Sequence, residues 1–184
     1  MTTGTILLNV VFLAGVAVFL LFIGWLFWLL FTGRGRKGRA QHAEFGDLPA
    51  APDNPGEVIV GPSTGLYVGT SRADDWVDRV QIDDLGDRAK ATVTGYTHGI
   101  AVERRAASTI WIPAESLTAV RITNSASGKV VHGGGLLALD WTLAGGTGLT
   151  TALRGDDKRD YPHWLAAYPG AATDPEATDP ETAE

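Results

Sequence analysis

The chain is 184 residues long, contains no cysteine and carries a formal net charge of −6. Four basic residues at 34–39 precede every acid, and all 21 acidic residues follow them beside the other 11 of the 15 basic ones. This excludes a disulfide scaffold and a thiolate metal site, and a net-acidic soluble part lacks the basic face of a nucleic-acid binder.

The first element is an uncharged run from Ile6 to Phe31. About 20 apolar residues suffice to cross a bilayer core of roughly 30 Å as a helix, so residues 6–31 are expected to be a transmembrane anchor. Its only strongly polar member is Asn9, near one end. Trp25, Phe27, Trp28 and Phe31 crowd the other end, where amphipathic rings favour the headgroup region. With no ionisable residue inside it, the run offers no relay or filter for transport. Gly15 and Gly24 are too far apart to make a small-xxx-small pair.

Arg34, Arg36, Lys37 and Arg39 follow at once. Basic residues beside a span are retained on the cytoplasmic side, so they set the topology: N-terminus outside, the rest of the chain in the cytoplasm, and the protein at the cell membrane. A cleaved signal peptide is the alternative. It requires a basic n-region, a shorter apolar segment and a small-x-small site. Met1–Thr5 has no basic side chain, the run is too long, and no Ala-x-Ala follows it.

Residues 32–62 read as a basic juxtamembrane segment and linker, with Pro49, Pro52, Pro55 and Pro62 and little periodicity. The periodic pattern occupies 63–168. Strands are predicted at Leu66–Ser71, Lys90–Tyr96, Gly99–Arg104, Thr109–Ile112, Leu117–Thr123, Leu136–Leu143 and Leu149–Arg154. In the sixth, Leu137, Leu139, Trp141 and Leu143 alternate with Ala138, Asp140 and Thr142, the period-two signature of a strand with one buried face. Gly133–Gly135 and Gly145-Gly146 mark turns. Tyr161, Trp164, Leu165 and Tyr168 are spaced i, i+3, i+4, i+7 and predict a short helix with one aromatic face. Pro162 fits its first turn, and Asp156, Asp157 and Asp160 suit its N-terminal end. Residues 169–184 repeat Ala-Thr-Asp-Pro-Glu and are expected to be a disordered acidic tail. About seven strands and a closing helix predict a mainly-β barrel or sandwich behind the anchor.

Strands followed by one C-terminal helix resemble the pleckstrin-homology (PH) fold. Gly65-Leu-Tyr-Val-Gly-Thr70, Asp75-Trp-Val-Asp-Arg79, Gly128-Lys-Val-Val131 and Gly134-Gly-Leu-Leu137 resemble the membrane-anchored bacterial PH-like proteins of actinobacterial type. So does the layout of one span, a Pro-rich linker and this domain. The resemblance implies a helix plugging one end of the barrel. In phosphoinositide-binding PH domains the loop after the first strand supplies Lys and Arg to the phosphates. Here Arg72–Arg88 holds six Asp against three Arg, which repels a phosphate cluster and argues against that mode. Arg121 and Lys129 make only a minor basic spot.

The chemistry of sites adds little. His42, His98, His132 and His163 show no ligand spacing, and neither G-x-S-x-G nor a P-loop occurs. Asp74-Asp75, Asp78, Asp83-Asp84 and Asp87 lack the calcium-loop pattern and read as a solvated acidic loop or short helix. No enzyme, metal or cofactor is expected. Trp76, in that polar loop, and Trp111, opposite Ile110 and Ile112 on its strand, are candidate partner contacts. Each has core packing as its alternative. The expected function is a protein-interaction or scaffold module in a membrane assembly, with an open sheet edge able to add a peptide strand. The alternative is binding of a lipid or small amphiphile.

Overall fold

The computed structural model describes residues 3–130 and 135–169. The Gly133-Gly134 part of one predicted turn and residues 170–184 of the predicted tail lie outside the described residues. The chain divides into two units, Met1–Ala40 and Gln41–Glu184.

The first unit is helical. Helix α1 runs Thr3–Phe45 and contains a stretch, Val10–Trp28, with mean hydropathy 2.8 and none of it buried. Length and composition there are sufficient to cross a membrane. The helix continues through 34–39, where the sequence suggested a juxtamembrane linker. The side chains of Ile6, Phe31, Arg34, Arg36, Lys37 and Arg39 lie outside the described part, but their positions all fall on α1. The four basic positions are one or two residues apart, and each residue turns about 100° on a helix. They therefore go round the axis as a collar.

The second unit begins with the last turn of α1. It is closed by Gly46, whose amide donates to the His42 carbonyl at 3.0 Å with φ +75°, the left-handed cap that glycine favours. The strands are β1 (Val58–Arg72), β2 (Ala89–Tyr96), β3 (Gly99–Arg104), β4 (Ile110–Pro113), β5 (Leu117–Thr123), β6 (Ser125–Ala126), β7 (Lys129–Val130), β8 (Leu136–Thr142) and β9 (Gly148–Gly155). Seven form one antiparallel sheet in the order β4-β3-β2-β1-β9-β8-β5, and β6 with β7 makes a separate hairpin. The long β1 pairs first with β2 and then with β9, so it joins the two halves of the sheet. The sheet does not close into a barrel. Its edges are β4 and β5, joined through a three-residue 3-10 turn. β4 is four residues long and ends in Pro113, which has no N–H to extend a ladder.

Alternation places Val93, Ile100, Val102, Leu137, Leu139 and Leu153 in one core. Helix α2 (Tyr161–Ala167) buries Tyr161 and Trp164, and Leu165 and Tyr168 pack on the same core, as their spacing requires. The Trp164 indole donates to Ser63 Oγ at 3.1 Å. Ahead of α2, Asp157 accepts from the Arg159 amide at 2.9 Å, and the Arg159 guanidinium brings its carboxyl down to about 2. Ala138 departs from the alternation. It is buried and pairs with Ala152, which forms a second small cluster with Leu136, Val68 and Ala126 of hairpin β6–β7.

Segment 73–88 also differs from expectation. It is a loop of turns and not a helix, with Asp74, Asp75, Asp83 and Asp87 exposed, but it is not solvated throughout. Val80, Ile82 and Leu85 have no exposed surface and belong to the main core, so its aspartates ride on an apolar strip. The packed domain likewise begins earlier than residue 63: Phe45 is buried in that core and Leu48 and Val60 pack against it.

Candidate interaction surface

Segment 73–88 is fixed from below by a polar chain in an otherwise apolar core. Tyr67 and Thr70 are three apart, so a regular strand would place them on opposite faces. A register shift between Tyr67 and Gly69 brings both inward. The Tyr67 hydroxyl lies 2.8 Å from the Leu85 carbonyl and 2.9 Å from Thr70 Oγ1. Thr70 Oγ1 lies 2.9 Å from Thr151 Oγ1, and the Trp141 indole is 3.0 Å from Thr151 Oγ1. An indole N–H only donates and a carbonyl only accepts. The proton order is therefore set from both ends: Trp141 to Thr151, to Thr70, to Tyr67, to Leu85. Burial pushes the Tyr67 phenol up to about 12, so it stays a donor.

Arg104 is the second pin. Its side chain has no exposed surface and its guanidinium lies 4.9 Å from the Tyr67 ring centroid. It donates to the Ser108 carbonyl at 2.9 Å, the Asp84 carbonyl at 2.8 Å, Ser108 Oγ at 2.9 Å and the Asp84 carboxylate. Asp84 also accepts from the Ser108 amide at 2.6 Å and the Ser108 hydroxyl at 2.8 Å. Burial alone would raise the Asp84 carboxyl, but the Ser108 and Arg104 donors together hold it below the usual range. A cation so placed is a structural pin and cannot reach a phosphate.

The arginines near the acidic turn are committed in the same way. Arg72 pairs with Glu44 at 2.7 Å and Asp74 at 3.1 Å. Arg79 donates to the Val68 carbonyl and lies flat against Gly69, where an added Cβ would meet the guanidinium carbon at 2.7 Å. On the far half of the sheet Arg121 is held by Asp140 at 2.5 Å. Arg88, at the end of segment 73–88, is exposed.

On these pins stands the Trp76 turn. Asp75 Oδ1 accepts from the Val77 amide at 2.9 Å and the Asp78 amide at 3.3 Å, and the Asp75 carbonyl accepts from Asp78 N at 3.0 Å. The Trp76 carbonyl accepts from Gly128 N at 2.8 Å, which ties the turn to the β6–β7 hairpin. Trp76 is left 43 % exposed and Val77 59 %, while Val130 on the hairpin is 61 % exposed. A tryptophan held outward by a fixed backbone loses little entropy on binding, as an interface anchor should.

Trp111 is a different case. It is only 4 % exposed, so the expectation that it offers a contact face does not hold. Gly99 supplies the reason. An added Cβ there would lie 2.7 Å from Trp111 Cζ2, so the indole occupies room that a side chain would fill. The Tyr96 ring lies beside it at 6.3 Å. Of the two candidates, Trp76 alone reaches solvent.

Among the described residues, one cavity and two grooves could receive a ligand. A cavity below α2, lined by Val93, Leu137, Leu153, Tyr161 and Trp164, has a volume of about 20 Å³, room for one water and not for an acyl chain. Two open grooves are lined mainly by polar and charged residue types. One of about 390 Å³ is lined by Thr64, Lys90, Glu103, Arg105 and Asp156, and one of about 320 Å³ by Arg72, Asp74 and Gly145–Gly148. Among the described residues no group of three His, Asp or Glu is placed to hold a metal ion.

Sequence reasoning missed Gln41, Glu44 and Phe45, which dock on segment 72–81. A signal was present for Phe45, the only Phe, Tyr or Trp between Phe31 and Tyr67. Gln41 gave none.

Comparison with known proteins agrees with the fold. The model of the bacterial PH domain-like family matches residues 45–169, more than half of the chain, and it starts at the buried Phe45. No curated protein and no solved structure matches the chain.

Proposed function

The chain belongs to the bacterial PH domain-like family, and on that footing we propose that it is a single-pass cell-membrane protein presenting its domain to a protein partner through the Trp76 turn. In this reading residues 6–31 are the anchor, and the collar at Arg34, Arg36, Lys37 and Arg39 retains everything after it in the cytoplasm. The domain serves as an accessory or scaffold component of a membrane assembly. PH-like domains are generally non-catalytic, and we assign no reaction to this one.

The observation that carries the proposal is the exposure of Trp76 on a turn whose backbone is already fixed by Asp75 and Gly128. The open edge of β5 is a second place where a partner segment can extend the sheet. Amphiphile binding has less behind it: the cavity under α2 has room for about one water.

Purification of the tagged full-length protein in mild detergent, beside a Trp76→Ala variant, tests the proposal. A stoichiometric protein partner kept by the wild type and lost by the variant supports it. Lipid co-eluting equally with both forms, without a protein partner, contradicts it. Because the chain has no cysteine, a single Asp53→Cys label reports the topology: an impermeant maleimide should react only after the cells are opened.

A further inference from the structure

We infer that Gln41–Phe45 is a latch that keeps the Trp76 turn ordered, so that the turn's readiness to bind depends on whether the latch is seated. What is regulated rests on the reading of Trp76 above; the latch itself is argued separately, from three contacts. Gln41 is 5 % exposed and uses both ends of its amide. Its Oε1 accepts from the Gln81 N–H at 2.7 Å, and its Nε2 donates to the Arg79 carbonyl at 3.5 Å. One side chain thus serves a donor and an acceptor of the 79–81 backbone, as a neighbouring strand would. Glu44 pairs with Arg72 at 2.7 Å, and Arg72 pairs onward with Asp74 at 3.1 Å. Phe45 is buried in the core, with the Arg72 guanidinium 5.5 Å from its ring centroid.

These contacts converge on the two flanks of the turn. Arg72 precedes Asp74–Asp78 and Arg79–Gln81 follow it. The flanks are themselves closed on each other, since Arg72 N donates to the Asp78 carbonyl at 3.1 Å and Val80 N to the Thr70 carbonyl at 2.9 Å. None of these polar latch contacts reaches β2, β3 or β4, so unseating the latch acts first on the turn. Coupling of this kind is reciprocal: a partner that holds the turn also favours the seated latch. Gln41 is a neutral amide, so its part in seating does not depend on ionisation. The latch is also the last turn of α1, which contains the apolar stretch.

Amide hydrogen exchange of the full-length protein in phosphatidylcholine nanodiscs tests the latch without any partner. In Gln41→Ala, loss of both amide bonds should speed exchange at Val77, Asp78 and Val80 by about tenfold. Thr92, Thr94 and Val102 of β2 and β3 should keep their wild-type rates. Glu44→Gln, which touches no buried group, should produce a smaller change of the same local pattern. Unchanged rates at 77–80, or equal acceleration throughout the domain, would overturn the inference, the latter by making Gln41 an ordinary core residue. Failure of Trp76→Ala to lose a partner would instead overturn the functional reading and leave these rates unaffected.

Discussion

The carbonyl of Trp76 accepts a hydrogen bond from the amide of Gly128 at 2.8 Å, joining an exposed tryptophan to a hairpin more than fifty residues away in the chain. Gly128 has φ +69°, a conformation that costs an L-residue roughly 1–2 kcal/mol. Gly128→Val is therefore expected to lower stability by about that much and to weaken partner capture. Trp76→Ala should abolish capture while changing stability by less than about 1 kcal/mol. Urea denaturation of both variants in detergent, set beside their recovery of partner, checks the contrast.

Phe45 should behave as a core residue although it lies in sequence the prolines mark as a linker. Phe45→Ala is expected to cost about 3–5 kcal/mol, measured as a shift of the urea midpoint at unchanged slope. A loss below about 1 kcal/mol would return Phe45 to the linker.

The strand pattern and the aromatic helix were legible because alternation and i, i+3, i+4, i+7 spacing are local. Gly99–Arg104 and Leu117–Thr123 coincide with their predicted spans. Closure of the barrel was not legible, since nothing local tells whether two edge strands meet. Segment 73–88 misled through composition: six aspartates hid Val80, Ile82 and Leu85, whose successive spacings of two and three sustain neither a strand nor a helix period. Trp111 misled because its outward position on β4 said nothing of the room left by Gly99 on the neighbouring strand. Nothing local marked Arg104 as buried; its burial depends on Asp84 and Ser108, which only the fold brings together.

Trp111→Ala is expected to destabilise by about 3–5 kcal/mol, the usual range for emptying a buried tryptophan site. At temperatures where the variant remains folded, partner capture should be intact. Capture lost in a folded Trp111→Ala protein would show that the indole is reached by the partner after all.

Tyr67 sets an alkaline limit. Its phenol ionises near 10.0 unfolded and near 12 folded, chiefly through burial. Between those values the unfolded chain releases the proton first. Stability contributed by the neutral phenol is thus complete below about pH 10, falls as pH rises, and is gone near pH 12. Two units correspond to about 2–3 kcal/mol. Tyr67→Phe should be less stable at pH 8, having stranded the Thr70 hydroxyl and the Leu85 carbonyl. It should also lose less between pH 10 and 12, so the two urea midpoints converge there.

The central claim is that the Trp76 turn meets a protein. A photo-reactive phenylalanine analogue placed at Val77 of the full-length protein, irradiated in intact membranes, tests it most directly. The account predicts one dominant protein adduct from position 77, absent when Trp76 is also replaced by alanine and absent when the probe is placed at exposed Asp53. Adducts to lipid alone, or a protein adduct indifferent to Trp76→Ala, would contradict it.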